Sequence, residues 1–138
     1  MNEDVEGVES SLKLLHLSLF PSERQSRSQL VKLLLEHGAD ATARLVSPDL
    51  SGTPLHLCLH PDEAEALLAH GADIDAQENE GRTACWSAAF RGHDRVLRVL
   101  ISARASFIAS SERQSPVWIA AQEGHDRVIA TLARARVS

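Results

Sequence analysis

A tetrapeptide that occurs twice at a fixed interval constrains this chain more than any other feature of its 138-residue sequence. His-Gly-Ala-Asp occupies 37–40 and again 70–73. A second marker, Gly-His-Asp-Arg-Val, occupies 92–96 and returns at nearly the same interval at 124–128. Such fixed periods indicate an array of similar units, each of which buries its apolar face only against the next one. The sequence therefore predicts a stacked repeat fold with one continuous core.

The residues in these markers also have preferred places at the ends of helices. Gly-Thr-Pro-Leu-His at 52–56 places Thr before Pro, and it is echoed at 81–86 and 114–119. Thr caps a helix, and Pro fits the first helical turn, where its missing N–H costs nothing. Gly38 and Gly71 follow apolar stretches, which predicts left-handed residues that end the preceding helices.

Apolar residues at helical spacing predict two helices in each of four units. We expect helices at 11–20 and 28–37, at 54–60 and 62–70, at 84–91 and 94–103, and at 116–123 and 126–136. The corresponding repeats span about 11–43, 49–76, 78–109 and 111–138. Residues 1–10 are acidic and predict a disordered tail.

With these markers in this order, the sequence resembles the ankyrin-repeat family over about 11–137. The resemblance implies an all-α solenoid of stacked helix-turn-helix units joined by short β-hairpin-like loops. It also implies a module that binds a partner protein through the concave face of the stack, as an adaptor or inhibitor. His56 matches the family's structural histidine, which implies hydrogen bonds to neighbouring hairpins.

The chain departs from the family pattern in several places. Residues 21–27 form a polar insertion, which predicts a surface loop. In repeat two the Gly-His turn is missing, so its helices must be shorter, with Pro61 either ending one or starting the next. Arg104 stands where glycine is expected, and a left-handed Arg there would cost about 1 kcal/mol.

No segment predicts a catalytic, cofactor or metal site, so we expect no enzyme. His56, Cys58 and His60 are close in sequence, but on a helix Cys58 points away from the two histidines. The other histidines recur at equivalent places in the repeats, which favours structural roles. Cys58 and Cys85 match buried family positions and predict unreactive core thiols.

Charge is distributed unevenly along the chain. Residues 1–80 carry 5 Lys/Arg and 15 Asp/Glu, whereas residues 81–138 carry 9 Arg and 4 Asp/Glu. The arginines of the basic half are scattered over the first and second helices of the repeats, and no aromatic platform accompanies them. We therefore expect a surface that faces solvent or an acidic protein, and no nucleic-acid binding. The arginines considered are Arg82, Arg91, Arg95, Arg98, Arg104, Arg113 and Arg127.

The sequence also predicts where the protein is located and its oligomeric state. The acidic start does not resemble a signal peptide, and the apolar stretch at 12–20 is too short to span a bilayer. Two isolated cysteines do not make a disulfide framework. We therefore expect an intracellular, cytoplasmic protein without membrane contact, with the nucleus as an alternative location. We also expect a monomer, because polar faces cap the ends of the repeat stack.

The resemblance implies a partner-binding surface of hairpin tips and first helices. Phe90 is its expected anchor, with Arg82 and Arg91 pairing with acidic groups of the partner; the alternative is that Phe90 packs against the next hairpin. Trp86 and Trp118 are expected to stack across the repeat interface as partly exposed core residues, with a partner contact as the alternative. The complete predicted surface is Leu50, Ser51, Asn79, Glu80, Arg82, Phe90, Arg91, Glu112, Gln114, Gln122 and Glu123.

Other functions stay open at this point. The chain could be a structural part of a longer array. It also shares a shortened first helix in repeat two with the four-repeat ankyrin inhibitors of cyclin-dependent kinases, although the shortening differs in length and no residue-level match goes beyond the general repeat. The fold class does not name the partner.

Overall fold

The computed structural model describes residues 24–46, 51–106 and 115–137. Predictions for the acidic tail, the first helix of repeat one and the hairpin tips at Leu50, Glu112 and Gln114 lie outside these residues. Within them the chain forms six α-helices: α1 (Arg24–Glu36), α2 (Pro61–Ala69), α3 (Ala84–Arg91), α4 (Asp94–Ser102), α5 (Pro116–Glu123) and α6 (Asp126–Val137).

Between α1 and α2 lies a short hairpin followed by a 3₁₀ helix. Strand β1 (Leu45–Val46) pairs antiparallel with β2 (Ser51–Gly52), and Leu45 lies opposite Gly52. The 3₁₀ helix Pro54–Leu57 follows directly. This hairpin is the kind of connection that the family resemblance implies.

The helices stack in two layers. The second helices of the repeats form one layer, in which α1 packs on α2, α2 on α4, and α4 on α6. The first helices form the other layer, in which the 3₁₀ helix packs on α3, and α3 on α5. We call these the second-helix layer and the first-helix layer. The predicted all-α stack of helix-turn-helix units is therefore confirmed. No helix in the described part of the chain is long and apolar enough to cross a membrane.

Repeat-equivalent leucines form the spine of the core. Leu67, Leu100 and Leu132 lie on α2, α4 and α6, and each is at most 1% exposed. Burial of a leucine side chain contributes about 1.5–3 kcal/mol. Because these three helices pack on one another across repeat boundaries, this stabilisation depends on stacking and explains why no unit is expected to fold alone.

Helix ends follow the local signals. The hydroxyl of Thr83 accepts a hydrogen bond from the Trp86 N–H at 3.4 Å at the start of α3, and Gly92 ends that helix with φ of 75°. Arg104 has φ of 67°. The sequence argument that Arg104 replaces a left-handed glycine is therefore confirmed.

Two predictions are corrected, one in repeat one and one in repeat two. Helix α1 begins at Arg24, inside the segment predicted as a surface loop, and Arg27 is only 1% exposed. The predicted helix at 54–60 is only the four-residue 3₁₀ helix, and Pro61 starts α2. Without a Gly-His turn, residues 58–60 must connect the two helices directly, so the first one ends early.

Candidate functional site

Three side chains form a column at the start of repeat three. Trp86 and Phe90 are four residues apart on α3 and therefore share a face. Their ring centroids lie 5.3 Å apart with the planes 9° from parallel. The guanidinium carbon of Arg82 lies 4.4 Å from the Trp86 ring centroid, a cation–π arrangement. The column fixes the orientation of all three side chains.

Phe90 is the exposed end of this column. Its residue surface is 42% exposed, whereas Trp86 is 8% exposed. The Phe90 carbonyl also accepts a hydrogen bond from Nε2 of His125 at 3.0 Å, which ties α3 to the next repeat. The expected exposure of Phe90 is thus found, while its contact with a partner stays a prediction.

The turn that precedes α3 is held by its own hydrogen bonds. Oε1 of Glu78 accepts from the N–H groups of Glu80 at 2.8 Å and Arg82 at 3.0 Å. Asn79 and Glu80 are exposed at the tip. The Glu80 carboxylate forms an ion pair with Arg82. Arg82 is therefore already neutralised within the turn, a feature that sequence reasoning missed.

His56 connects this turn to repeat two. The Thr53 N–H donates to Nδ1 of His56 at 3.1 Å, so Nδ1 is the unprotonated nitrogen. Nε2 then donates to the Arg82 carbonyl at 3.1 Å. The implied structural role of His56 is confirmed. Burial lowers its pKa from 6.5, partly opposed by the hydrogen bond to Arg82.

Arg91 is exposed, but its side chain also contacts the protein itself. Its Nη1 donates to the His56 carbonyl at 3.4 Å. Burial of the guanidinium, and then the charge of Arg27, lower the pKa of Arg91. The structure thus gives Arg91 an internal contact beside its predicted contact with a partner.

Trp118 is the aromatic residue that the predicted site omitted. It is 39% exposed on α5, whereas the equivalent Trp86 is covered by Phe90 and Arg82. Position 122, one helical turn after Trp118, holds Gln where α3 has Phe90. The absence of a ring at position 122 is the feature of the sequence that could have predicted the exposure of Trp118. Gln122 and Glu123 are exposed at the end of the same helix, and α5 packs on α3.

The structure does not describe the side chains of the remaining predicted site residues. Ser51 lies in β2, and its side chain is outside the described set, as are Leu50, Glu112 and Gln114 altogether. Within 24–46, 51–106 and 115–137, no group of three or more His, Cys, Asp or Glu residues could hold a metal.

The histidines and cysteines occupy structural positions. Nδ1 of His37 lies 2.8 Å from the Leu33 carbonyl, and Nδ1 of His70 lies 2.9 Å from the Ala66 carbonyl. These two equivalent contacts support the structural assignment. Cys58 and Cys85 are buried free thiols. Burial raises the pKa of Cys58 well above its usual range, and that of Cys85 to about 12, so both are unreactive.

Stacked helix pairs, a buried histidine that bridges adjacent units and left-handed glycines after the helices define an ankyrin-type repeat protein. The sequence matches the ankyrin-repeat family over 60–137, in three copies. The chain belongs to this family, whose members are generally protein-binding modules and typically lack enzymatic activity.

Two similar proteins are nuclear factor NF-kappa-B p105 subunits. The protein of Rattus norvegicus is 33% identical over an alignment of 99 residues, which covers 67% of this chain and 10% of that protein. The protein of Gallus gallus is 34% identical over an alignment of 94 residues, which covers 64% of this chain and 9% of that protein. This chain therefore spans about a tenth of the length of these relatives.

Proposed function

We propose that this chain binds a partner protein through the Phe90 surface, which we define as Arg82, Trp86, Phe90 and Trp118. The observation that carries the proposal is that Phe90 is 42% exposed while its ring is stacked on Trp86. Such an aromatic side chain on the first-helix layer of an ankyrin-type stack is suited to insertion into a partner's pocket.

Preorganisation makes Phe90 the main contributor to affinity in this proposal. Because stacking already restricts the ring, binding costs little additional side-chain entropy. Arg82 and Arg91 already contact Glu80 and the His56 carbonyl. An acidic group of the partner would therefore compete with internal contacts, and the arginines would contribute less than the ring.

An affinity capture from cell lysate tests this surface. Wild type is compared with Phe90→Ala and with the triple change Arg82→Glu, Phe90→Ala, Arg91→Glu. Leu33→Ala is the matched control, because Leu33 is 52% exposed on α1 in the other layer. Removal of a hot-spot ring weakens binding by about 2 kcal/mol, or roughly thirtyfold.

Proteins retained by wild type and Leu33→Ala, but lost by Phe90→Ala with unchanged circular dichroism, would support the proposal and name the partner. If every bound protein is retained equally by folded Phe90→Ala, the Phe90 surface is the wrong site. The single variant is the sharper test, because the arginine changes also remove internal hydrogen bonds.

We extend the proposal to an intracellular, cytoplasmic monomer that is an adaptor or inhibitor and not an enzyme. Two buried free thiols, Cys58 and Cys85, support a reducing compartment. The alternative of a structural part of a longer array is compatible with a match to a tenth of the p105 subunits. In that case Phe90→Ala would leave the captured proteins unchanged.

One observation favours the narrower alternative of a cyclin-dependent kinase inhibitor. The first helix of repeat two is the 3₁₀ helix Pro54–Leu57, and a shortened first helix at this place is also expected of such inhibitors, although of a different length. A binding assay with purified cyclin-dependent kinases tests it, with Phe90→Ala as the variant and Leu33→Ala as the control. Absence of binding by wild type excludes this alternative.

A further inference from the structure

Arginines that are far apart in sequence meet on the second-helix layer. Packing of α4 against α6 forms a groove of about 290 Å³ between them. The sequence predicts that Arg95, Arg98 and Arg127 are scattered, and this prediction is wrong because the three line one groove. The groove is lined by Asp94, Arg95, Arg98, Arg127, Ala130, Thr131 and Arg134; we call it the arginine groove.

Positive charge exceeds negative charge in this groove. Its one carboxylate, Asp94, accepts a hydrogen bond from the Thr131 hydroxyl and lies 3.0 Å from Nε of Arg98. The other three arginines are exposed, and in the described ranges no carboxylate forms an ion pair with them. Four guanidinium groups against one carboxylate leave an excess of three positive charges.

An apolar groove adjoins the arginine groove. It lies between α2 and α4, has a volume of about 450 Å³, and shares Arg98 with the arginine groove. Leu68, Val99 and Ala103 provide its apolar surface. An occupant that spans both grooves therefore needs apolar side chains beside negatively charged groups.

We propose that the arginine groove and its apolar neighbour bind an acidic segment of a partner protein. Carboxylates of the segment pair with Arg95, Arg127 and Arg134, since guanidinium groups match carboxylates in a bidentate geometry. Apolar side chains of the segment enter the groove beside Val99. This site lies on the opposite layer from the Phe90 surface and does not depend on that proposal.

The groove chemistry favours an acidic protein segment over nucleic acid. None of the lining residues is aromatic, so no ring is available to stack on a base. The adjoining apolar surface has no role in binding a nucleic-acid backbone.

Fluorescence anisotropy with labelled peptides tests the proposal. The probe repeats the triplet Glu-Glu-Leu; the comparison peptides repeat Gln-Gln-Leu, Glu-Glu-Ser and Lys-Lys-Leu, and a short single-stranded DNA provides the nucleic-acid arm. We expect the tightest binding for Glu-Glu-Leu, weaker binding for Glu-Glu-Ser, and affinity that falls as salt is added. Nuclear magnetic resonance amide shifts should change mainly in α2, α4 and α6.

A charge-matched pair of triple variants provides the control. The variant Arg95→Gln, Arg127→Gln, Arg134→Gln should lose affinity for Glu-Glu-Leu about tenfold or more. The variant Lys32→Gln, Arg44→Gln, Arg104→Gln removes the same number of charges outside the arginine groove and should lose clearly less.

Several outcomes overturn the proposal. They are absence of Glu-Glu-Leu binding by wild type, an equal loss in both folded triple variants, or amide shifts confined to α3 and α5. Equal or tighter binding of the DNA would reassign the arginine groove to nucleic acid. Equal affinity for Glu-Glu-Ser and Glu-Glu-Leu would show that the apolar groove takes no part, and the two-groove site would be wrong.

Discussion

Nε of Arg27 donates to the carboxylate of Glu63 at 2.8 Å, although 36 residues separate the two and both are excluded from solvent. Arg27 also donates from Nη2 to the Leu57 carbonyl at 2.7 Å. The Leu59 N–H donates to Glu63 Oε1 at 3.3 Å. The ion pair therefore satisfies backbone groups at the place where repeat two lacks its Gly-His turn.

Both members of this pair replace an ordinary repeat residue. Position 63 is equivalent to Val96 and Val128, which are buried on α4 and α6. Position 27 is equivalent to His60 and His93 in the next two repeats. The shortened repeat is thus stabilised by a buried ion pair that links repeats one and two.

Removal of one partner of this pair should be strongly destabilising. We expect Glu63→Ala to lower the free energy of unfolding by about 3–5 kcal/mol, because Arg27 is left buried and unpaired. Urea denaturation measures the change. Glu65→Ala on the same helix is the control, since Glu65 is exposed, and it should change the free energy by less than about 0.5 kcal/mol. Equal effects of the two variants would contradict the assigned role.

Two glycines with the same φ of 75° should differ in their tolerance of a methyl group. A Cβ at Gly92 would lie 2.7 Å from Nδ1 of His125, whereas one at Gly124 would have no atom within 4 Å. Both alanine variants should lose about 1–2 kcal/mol through the left-handed backbone.

Gly92→Ala should lose about 1–3 kcal/mol more than Gly124→Ala. The His125 ring cannot move away without breaking its hydrogen bond to the Phe90 carbonyl. Urea denaturation measures the free energy of unfolding of both variants. Because both have the same left-handed backbone, the difference between them gives the cost of the clash with His125. A smaller loss for Gly92→Ala than for Gly124→Ala would show that the ring relaxes freely.

Arg104→Gly should raise the free energy of unfolding by about 1 kcal/mol. Arg104 has φ of 67°, in the left-handed region that the equivalent Gly38 and Gly71 occupy at 91° and 89°. Thermal or urea unfolding measures the gain. Ala103→Gly is the control, because φ of Ala103 is −86° and glycine there should only destabilise. A loss of stability in Arg104→Gly would reveal a contact of the arginine side chain.

Acidification should weaken the fold through His56. Burial lowers the pKa of His56 in the folded protein below 6.5, so the unfolded chain takes up a proton more readily. The stability contribution is therefore present above pH 6.5 and is lost as the pH falls through the folded pKa. Protonation of Nδ1 would also remove the acceptor of the Thr53 N–H.

Urea denaturation between about pH 7.5 and 5.5 measures this effect. The pKa of His93 is also lowered, first by burial and then by the charge of Arg91, so wild type should lose stability through both residues. His56→Gln should show a smaller loss over the same range. An equal loss in wild type and in folded His56→Gln would exclude His56 as a contributor.

Several features were predictable because they repeat or are local. The regular return of the His-Gly-Ala-Asp and Gly-His-Asp-Arg-Val markers requires stacked units, and Thr83 and Gly92 mark the ends of α3 by their own backbone chemistry. The left-handed Arg104 follows from the same alignment with Gly38 and Gly71. Such features depend on side chains only a few positions apart, or on the fact that equivalent positions meet equivalent neighbours.

Tertiary structure decided the features that depend on contacts between different repeats. Arg27 looked like part of a polar loop until Glu63, 36 residues away, was found beside it. Arg95 and Arg127 looked scattered until the packing of α4 on α6 brought them into one groove. A periodic sequence predicts that its units stack, but the contacts of its atypical residues depend on three-dimensional distances that the period does not specify.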